Sequence, residues 1–93
     1  MMKLKVIYFP PYDKMAKTKK ELIEIKDDKI TVKELLNIIV KRHAKIKEYV
    51  DLRSDEKLRS RLIVVVEKDV ASINDVLIGE YKIVKLLPPI AGG

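Results

Sequence analysis

Alternating apolar and polar positions predict strands near both ends of this chain, and a longer apolar period predicts one amphipathic helix between them. Thr31 and Glu34 have the spacing of a capping box, which starts the helix at Val32. The helix is predicted to end near His43 or near Tyr49. Its predicted buried side consists of Val32, Leu35, Leu36, Ile39, Val40, Ala44 and Ile46. The predicted strands are residues 3–9, 21–26, 62–66, 70–72 and 81–87.

The segments between these elements are predicted to be irregular. Residues 10–19 form a lysine-rich loop after Pro10-Pro11, residues 51–61 a charged connector, and residues 73–78 a short crossing before a turn at Gly79. The apolar run 62–66 is expected to be a central strand. This order predicts an α+β fold, in which one main helix packs across one face of a mixed sheet. Residues 1–87 form the predicted domain, and residues 88–93 a flexible tail.

Period-two sorting of the strands leaves apolar residues on the sheet face opposite the helix. That open face is expected to carry Ile7 in addition to four residues that we predict to dock a partner, namely Phe9, Ile63, Val65 and Leu87.

Composition narrows the class of protein. The chain has 93 residues, a formal net charge of +6 and no cysteine, which excludes disulfides, thiolate metal sites and a cysteine nucleophile. Glutamine is absent while lysine and glutamate abound, as in thermophile proteins. No apolar run is long enough to cross a membrane, so we expect a cytoplasmic protein without membrane contact. Interspersed acids and the lack of an aromatic platform argue against nucleic-acid binding by the lysines.

The ending Leu86-Leu87-Pro88-Pro89-Ile90-Ala91-Gly92-Gly93 carries the clearest functional signal. Two prolines favour an extended exit from the last strand, and glycines fit a channel too narrow for other residues. Six residues from Pro88 to Gly93 span about 20 Å when extended. The tail is therefore predicted to carry the Gly93 carboxylate into the active site of a partner.

No independent active site is predicted. His43 is the only histidine and falls near the helix end, where we expect it to face solvent or to cap the helix. Asp27-Asp28, Asp51 and Asp55-Glu56 fall in predicted turns and have no metal-ligand spacing to His43. We expect no bound metal or cofactor.

Along its whole length the chain resembles ubiquitin-like β-grasp sulfur carriers, and among them the small subunit of molybdopterin synthase. The resemblance rests on Val6-Ile7-Tyr8-Phe9, the Thr31-capped helix with Leu35-Leu36, Leu62 to Val66 and, most specifically, the ending 86–93. The Asp-Gly-Asp turn that is common in the family reads Ile78-Gly79-Glu80 here.

The resemblance implies a chemistry for the tail. An adenylyltransferase similar to ubiquitin-activating enzymes joins Gly93 to AMP from ATP, and a persulfide donor displaces AMP to leave a thiocarboxylate. Pro88, Pro89, Ile90, Ala91 and Gly92 then insert into the large synthase subunit, where sulfur passes to cyclic pyranopterin monophosphate in molybdenum cofactor biosynthesis. The chain itself is the sulfur donor, and the large subunit supplies any acid or base.

Other functions start from the same adenylate and remain open. Relatives with this tail also serve as protein modifiers conjugated to lysines, and related carriers provide sulfur for thiamine or for tRNA thiolation.

Overall fold

The computed structural model describes residues 1–90 and shows a five-stranded mixed sheet with helices on one face, the predicted α+β class. The strand order is β2-β1-β7-β4-β5, and a separate two-stranded sheet pairs β3 with β6. The strands are β1 (Met2–Tyr8), β2 (Lys20–Ile25), β3 (Lys29–Thr31), β4 (Ile63–Val66), β5 (Asp69–Val70), β6 (Val76–Ile78) and β7 (Tyr81–Leu87). The helices are α1 (Tyr12–Ala16), α2 (Val32–Arg42), a 3-10 helix (Ala44–Tyr49) and α3 (Asp55–Arg59).

The first and last strands lie side by side in the middle of the sheet. β1 and β7 run parallel, in register from Lys3 opposite Tyr81 to Tyr8 opposite Leu86. β2 pairs with β1 in antiparallel register, so the first two strands form a hairpin. The run 62–66 was expected to be central, and its strand β4 is interior, between β7 and the edge strand β5. The middle position belongs to β7, so the strand that leads to the tail is held on both sides.

Helix α2 supplies most of the layer that covers the sheet. Its capping box is confirmed, since the Glu34 amide donates to the Thr31 hydroxyl (3.1 Å) and the Thr31 amide donates to the Glu34 carboxylate (3.0 Å). The core is a single cluster that includes Leu35, Leu36 and Ile39 of α2 together with Leu4, Val6, Val84 and Leu86 of the central strands. Complete burial of these aliphatic side chains provides the main driving force for folding.

The end of α2 differs from the predicted pattern. The α-helix stops at Arg42, and the chain continues as a 3-10 helix whose buried residue is Ile46. Ala44 was predicted to be buried but is exposed, and Val40 is half-buried. The reason is the change in helical period after His43, which rotates Ala44 away from the core while it returns Ile46 to it.

Two predicted loops contain helices. In residues 10–19, α1 buries Tyr12 and Ala16, which are four residues apart and therefore on one helical face. In residues 51–61, Ser54 accepts a hydrogen bond from the Lys57 amide (3.1 Å) and starts α3, which buries Leu58. The prediction of irregular structure was wrong because so few apolar residues identify such short helices.

Strand β3 follows the predicted turn at Asp27-Asp28 directly, and strand β6 lies within the predicted crossing at 73–78. Lys29 lies opposite Ile78 and Thr31 opposite Val76 in the β3–β6 pair. Strand β5 is shorter than predicted and begins at Asp69. The turn at Gly79 is confirmed, with a φ of +127° that favours glycine.

Candidate functional site

Pro88 and Pro89, which we call the tail root, follow the end of β7 directly. The amide of Phe9 donates to the Leu86 carbonyl (3.0 Å), and Leu87 lies opposite Ile63 of β4, so the chain is fixed on both sides up to this point. Pro88 is exposed, Pro89 is half-buried, and Ile90 is 93% exposed. Ala91, Gly92 and Gly93, predicted for insertion and reaction, lie outside the described residues. Their roles and the division of the chain at residue 87 stay predictions.

The four residues that are predicted to dock a partner lie together at the open face of the sheet, as predicted. Ile63 and Val65 of β4 lie on the side opposite the buried Leu62 and Val64, and Leu87 is the cross-strand neighbour of Ile63. Phe9 follows β1 directly. All four side chains are half-buried. Docking through them stays a prediction, but the structure brings them together beside the tail root.

Lysines border this apolar surface. The strand register places Lys20, Ile7, Lys85, Val65 and Val70 in one row across the open face. Such a row presents two positive charges with aliphatic side chains between and beside them. A partner surface that matches it is apolar and carries acidic groups.

A cleft that was not predicted from the sequence lies on the other side of the tail root. It is open to solvent and has a volume of about 520 Å³. Four segments that are distant in sequence line it: α1, the 3-10 helix, the turn before β4 and the tail root. The lining residues are Pro11, Tyr12, Glu48, Tyr49, Ser60, Arg61, Pro88 and Pro89. We refer to it as the tail-root cleft.

Hydrogen bonds fix the walls of the tail-root cleft. The hydroxyl of Tyr12 donates to the carbonyl of Arg61 (2.6 Å), and Nη1 of Arg61 donates to the carbonyl of Glu48 (2.7 Å). The rings of Tyr12 and Tyr49 meet edge to face with centroids 5.6 Å apart. Burial, with a smaller contribution from Tyr49, raises the pKa of Tyr12 to about 12, so its hydroxyl remains a donor at physiological pH.

A polar network joins the end of α2 to the edge of the sheet. Oε1 of Glu21 accepts hydrogen bonds from the Tyr8 hydroxyl and from Nε2 of His43 (2.7 Å), and Oε2 lies 3.5 Å from Nη1 of Arg42. His43 was expected to face solvent or to cap the helix. It occupies the C-cap position, but its side chain is only 15% exposed and turns to Glu21. Sequence reasoning missed this network because its members are far apart along the chain.

The network sets the protonation states of its members. Burial by itself raises the pKa of Glu21, but the hydrogen bonds from Tyr8 and His43 and the positive charges of His43 and Arg42 together lower it below its usual range. Burial and the neighbouring Glu21 carboxylate raise the pKa of the Tyr8 hydroxyl far above its usual value. The network therefore contains an ionised carboxylate and a neutral phenol across the physiological range.

Replacing Glu21 with glutamine is expected to lower stability at pH 7 by about 1.5–3 kcal/mol, the usual contribution of a hydrogen bond to a charged group. Because the pKa of Glu21 is lowered by folding, its contribution is present above the pKa of the unfolded chain and is lost as pH falls through the folded pKa. The difference between wild type and Glu21→Gln should thus shrink in acid, as measured by urea unfolding at pH 7 and pH 3. Glu24→Gln, on the same strand but exposed, is the control and should match wild type. If the free energies of unfolding of wild type and Glu21→Gln differed by the same amount at pH 7 and at pH 3, this expectation would be contradicted.

Among residues 1–90, no group of three or more histidine, cysteine or acidic side chains is arranged to hold a metal ion. No helix in the same range is long and apolar enough to cross a membrane.

One main helix held against a mixed sheet, with parallel first and last strands at its centre, defines the ubiquitin-like β-grasp class of protein. Solved structures of known proteins confirm this class. A protein described as molybdopterin converting factor subunit 1 from Pyrococcus furiosus is 27% identical, with a TM-score of 0.77 over 97% of this chain and 100% of that one.

Two further solved structures share the fold. Small archaeal modifier protein 1 from Haloferax volcanii is 18% identical, with a TM-score of 0.78 over 97% of this chain and 100% of that one. The complex of subunits 1 and 2 of molybdopterin-converting factor from Helicobacter pylori matches at 22% identity and a TM-score of 0.58, over 99% and 100% of the two chains. No family model and no curated protein matches the chain. The predicted resemblance to ubiquitin-like sulfur carriers is confirmed by these structural neighbours.

Proposed function

We propose that this chain is a sulfur carrier for molybdopterin synthesis, with Gly93 as the reactive carboxyl terminus. The observation that supports this most directly is the position of the tail root: the middle strand of the sheet, fixed on both sides, ends at Leu87 and is followed by the exposed Pro88. A rigid body with a projecting tail suits the delivery of a terminal group into another protein. The similarity to a protein described as molybdopterin converting factor subunit 1 supports the choice of this pathway.

The proposed chemistry requires activation because a free carboxylate is a poor electrophile. A ubiquitin-activating-like adenylyltransferase joins the Gly93 carboxylate to the α-phosphate of ATP and releases pyrophosphate. The terminal sulfur of a persulfide then attacks the acyl carbon and releases AMP, which leaves an acyl disulfide. A second thiol attacks the donor's sulfur in this disulfide, forms a new disulfide with the donor and releases the thiocarboxylate on Gly93. ATP is thus a substrate of the activating enzyme and need not bind this chain.

The proposed recipient of the tail is the large subunit of molybdopterin synthase. The Helicobacter pylori neighbour is a complex of subunits 1 and 2, which supports an equivalent partner here. In our proposal the partner covers Phe9, Ile63, Val65 and Leu87 on the open sheet face. Sulfur then passes from Gly93 to cyclic pyranopterin monophosphate in the large subunit.

A second candidate function is protein modification, in which Gly93 forms an isopeptide bond with a lysine of another protein. The fold shared with small archaeal modifier protein 1 favours this candidate. It begins with the same adenylate, so the two functions differ only in the nucleophile that displaces AMP.

Intact-mass analysis of the chain purified from its native host tests the proposal. A thiocarboxylate adds about 16 Da to the free acid, since sulfur replaces oxygen. Oxidation of any of the three methionines adds a nearly equal mass, so treatment with a thiol-alkylating reagent is the necessary control. We expect a heavier species that reacts with the reagent and whose modification maps to Gly93. Free acid together with isopeptide-linked species of higher mass would instead identify a modifier.

A charge placed on the open sheet face should weaken partner binding. Val65→Asp introduces a carboxylate that the partner must desolvate, so we expect the Kd for the large subunit to rise at least about tenfold, or about 1.4 kcal/mol. Titration calorimetry measures this change. Val76→Asp is the matched control, because Val76 is a half-exposed valine in the separate β3–β6 sheet. Equal affinities of the two variants would show that the partner docks elsewhere.

A further inference from the structure

The tail itself forms one wall of the tail-root cleft, and this distinguishes the cleft from the open sheet face. Pro88 and Pro89 line the cleft together with Tyr12 and Tyr49, and the chain continues from Pro89 to the exposed Ile90. Any group that occupies the cleft therefore contacts the segment that sets the direction of the tail.

The cleft is preformed. Tyr12 ties α1 to the turn before β4 through the Arg61 carbonyl, and Arg61 ties that turn to the 3-10 helix through the Glu48 carbonyl. Three segments are thus connected before a ligand arrives, which reduces the entropic cost of binding. The same bonds orient the cleft relative to Pro88.

The walls of the cleft select an apolar side chain. The half-buried ring of Tyr49 and three prolines offer rigid apolar surface, and the buried Tyr12 packs beside them. An aliphatic or aromatic side chain can replace water against such walls at little cost in conformational entropy, because the walls are already rigid.

The rim of the cleft selects the charge of the ligand. Arg61 is exposed and makes no ion pair with any carboxylate of residues 1–90, and the Glu48 carboxylate on the opposite rim likewise makes none with a basic group in that range. Lys20 and Lys85 add positive charge on the open sheet face at the same end of the molecule. A protein that approaches the tail thus meets three basic side chains, with Glu48 as the acidic exception.

We propose that the tail-root cleft is the recognition site for the activating enzyme: it receives an apolar side chain of that enzyme, and Arg61 pairs with an adjacent carboxylate. The inference rests on the proposed function and names its first partner. Adenylation precedes both sulfur transfer and lysine conjugation, so a site for this enzyme serves either outcome. Occupation of the cleft holds Pro88 and Pro89 while the tail extends to the bound ATP.

The test is ATP–pyrophosphate exchange catalysed by the adenylyltransferase of the same organism, with the full chain as the varied substrate. We expect Arg61→Glu and Tyr49→Ala each to raise the KM at least about tenfold with kcat unchanged, the pattern of lost binding. Tyr49→Phe retains the ring and should restore the wild-type KM. Lys33→Glu makes the same change of charge at the start of α2, outside the cleft, and should stay within about twofold of wild type. Melting temperatures identify any variant that fails to fold, and Arg61→Glu leaves the backbone carbonyl that Tyr12 uses.

Each outcome has a distinct meaning. A wild-type KM for Arg61→Glu would overturn the inference while the proposed function stands. A raised KM for Glu48→Lys together with an unchanged KM for Arg61→Glu would also overturn it, because the partner segment would then be basic. If the wild-type chain supports no exchange, the proposed function fails and the inference fails with it.

Discussion

Deletion of Gly93 is expected to abolish adenylation, and with it both thiocarboxylate formation and conjugation. The tail root is fixed by the pairing of β7 with β1 and β4, so the body of the protein does not shift to compensate for a shorter tail. Loss of one residue withdraws the terminal carboxylate by about 3.3 Å. Misplacement of a reacting group by about 1 Å can already cost about 100-fold in rate.

ATP–pyrophosphate exchange should therefore fall at least about 100-fold in the deletion variant. Its melting temperature should equal that of wild type, because the core cluster ends at Leu86. Gly92→Ala is the companion variant: it keeps the length of the tail and adds a single methyl group, so it tests the requirement for a narrow tail. Wild-type exchange by the deletion variant would refute the role of Gly93 as the reactive terminus.

The largest loss of stability is expected when a buried side chain of α2 that packs against the sheet is shortened. Leu36 is fully buried, so Leu36→Ala removes buried methyl groups and leaves a cavity, at a cost of about 2–5 kcal/mol. A domain of this size has a total stability of about 5–15 kcal/mol. The melting temperature should consequently fall by at least about 10 °C.

Leu22→Ala is the matched control for Leu36→Ala, because Leu22 lies on the edge strand β2 and is 47% exposed. Its loss should stay below about 1 kcal/mol. Thermal unfolding followed by circular dichroism distinguishes the two variants. Equal losses would mean that α2 contributes no more to the core than an exposed edge position does.

The candidate site was predictable to the extent that it depends on a continuous stretch of sequence. The ending 86–93 combines the apolar end of a strand, two prolines and two glycines, and these residue types impose their backbone preferences locally. The open apolar face of the sheet was also predictable, because side chains in a strand alternate between faces regardless of what the strand pairs with. The tail-root cleft and the Glu21 network were not, since each requires knowledge of which distant segments meet.

The sequence by itself determined the strong local elements of this protein: the apolar strands, the Thr31 capping box that starts α2, and the turn at Gly79. Each depends on interactions within a few residues, so the pattern of side chains is sufficient to predict it. The tertiary structure alone decided that β7 takes the middle of the sheet and that α1 and α3 are helical. Those helices are only five residues long, too short to be stable in isolation, and they form because Tyr12 and Leu58 are buried against the rest of the core.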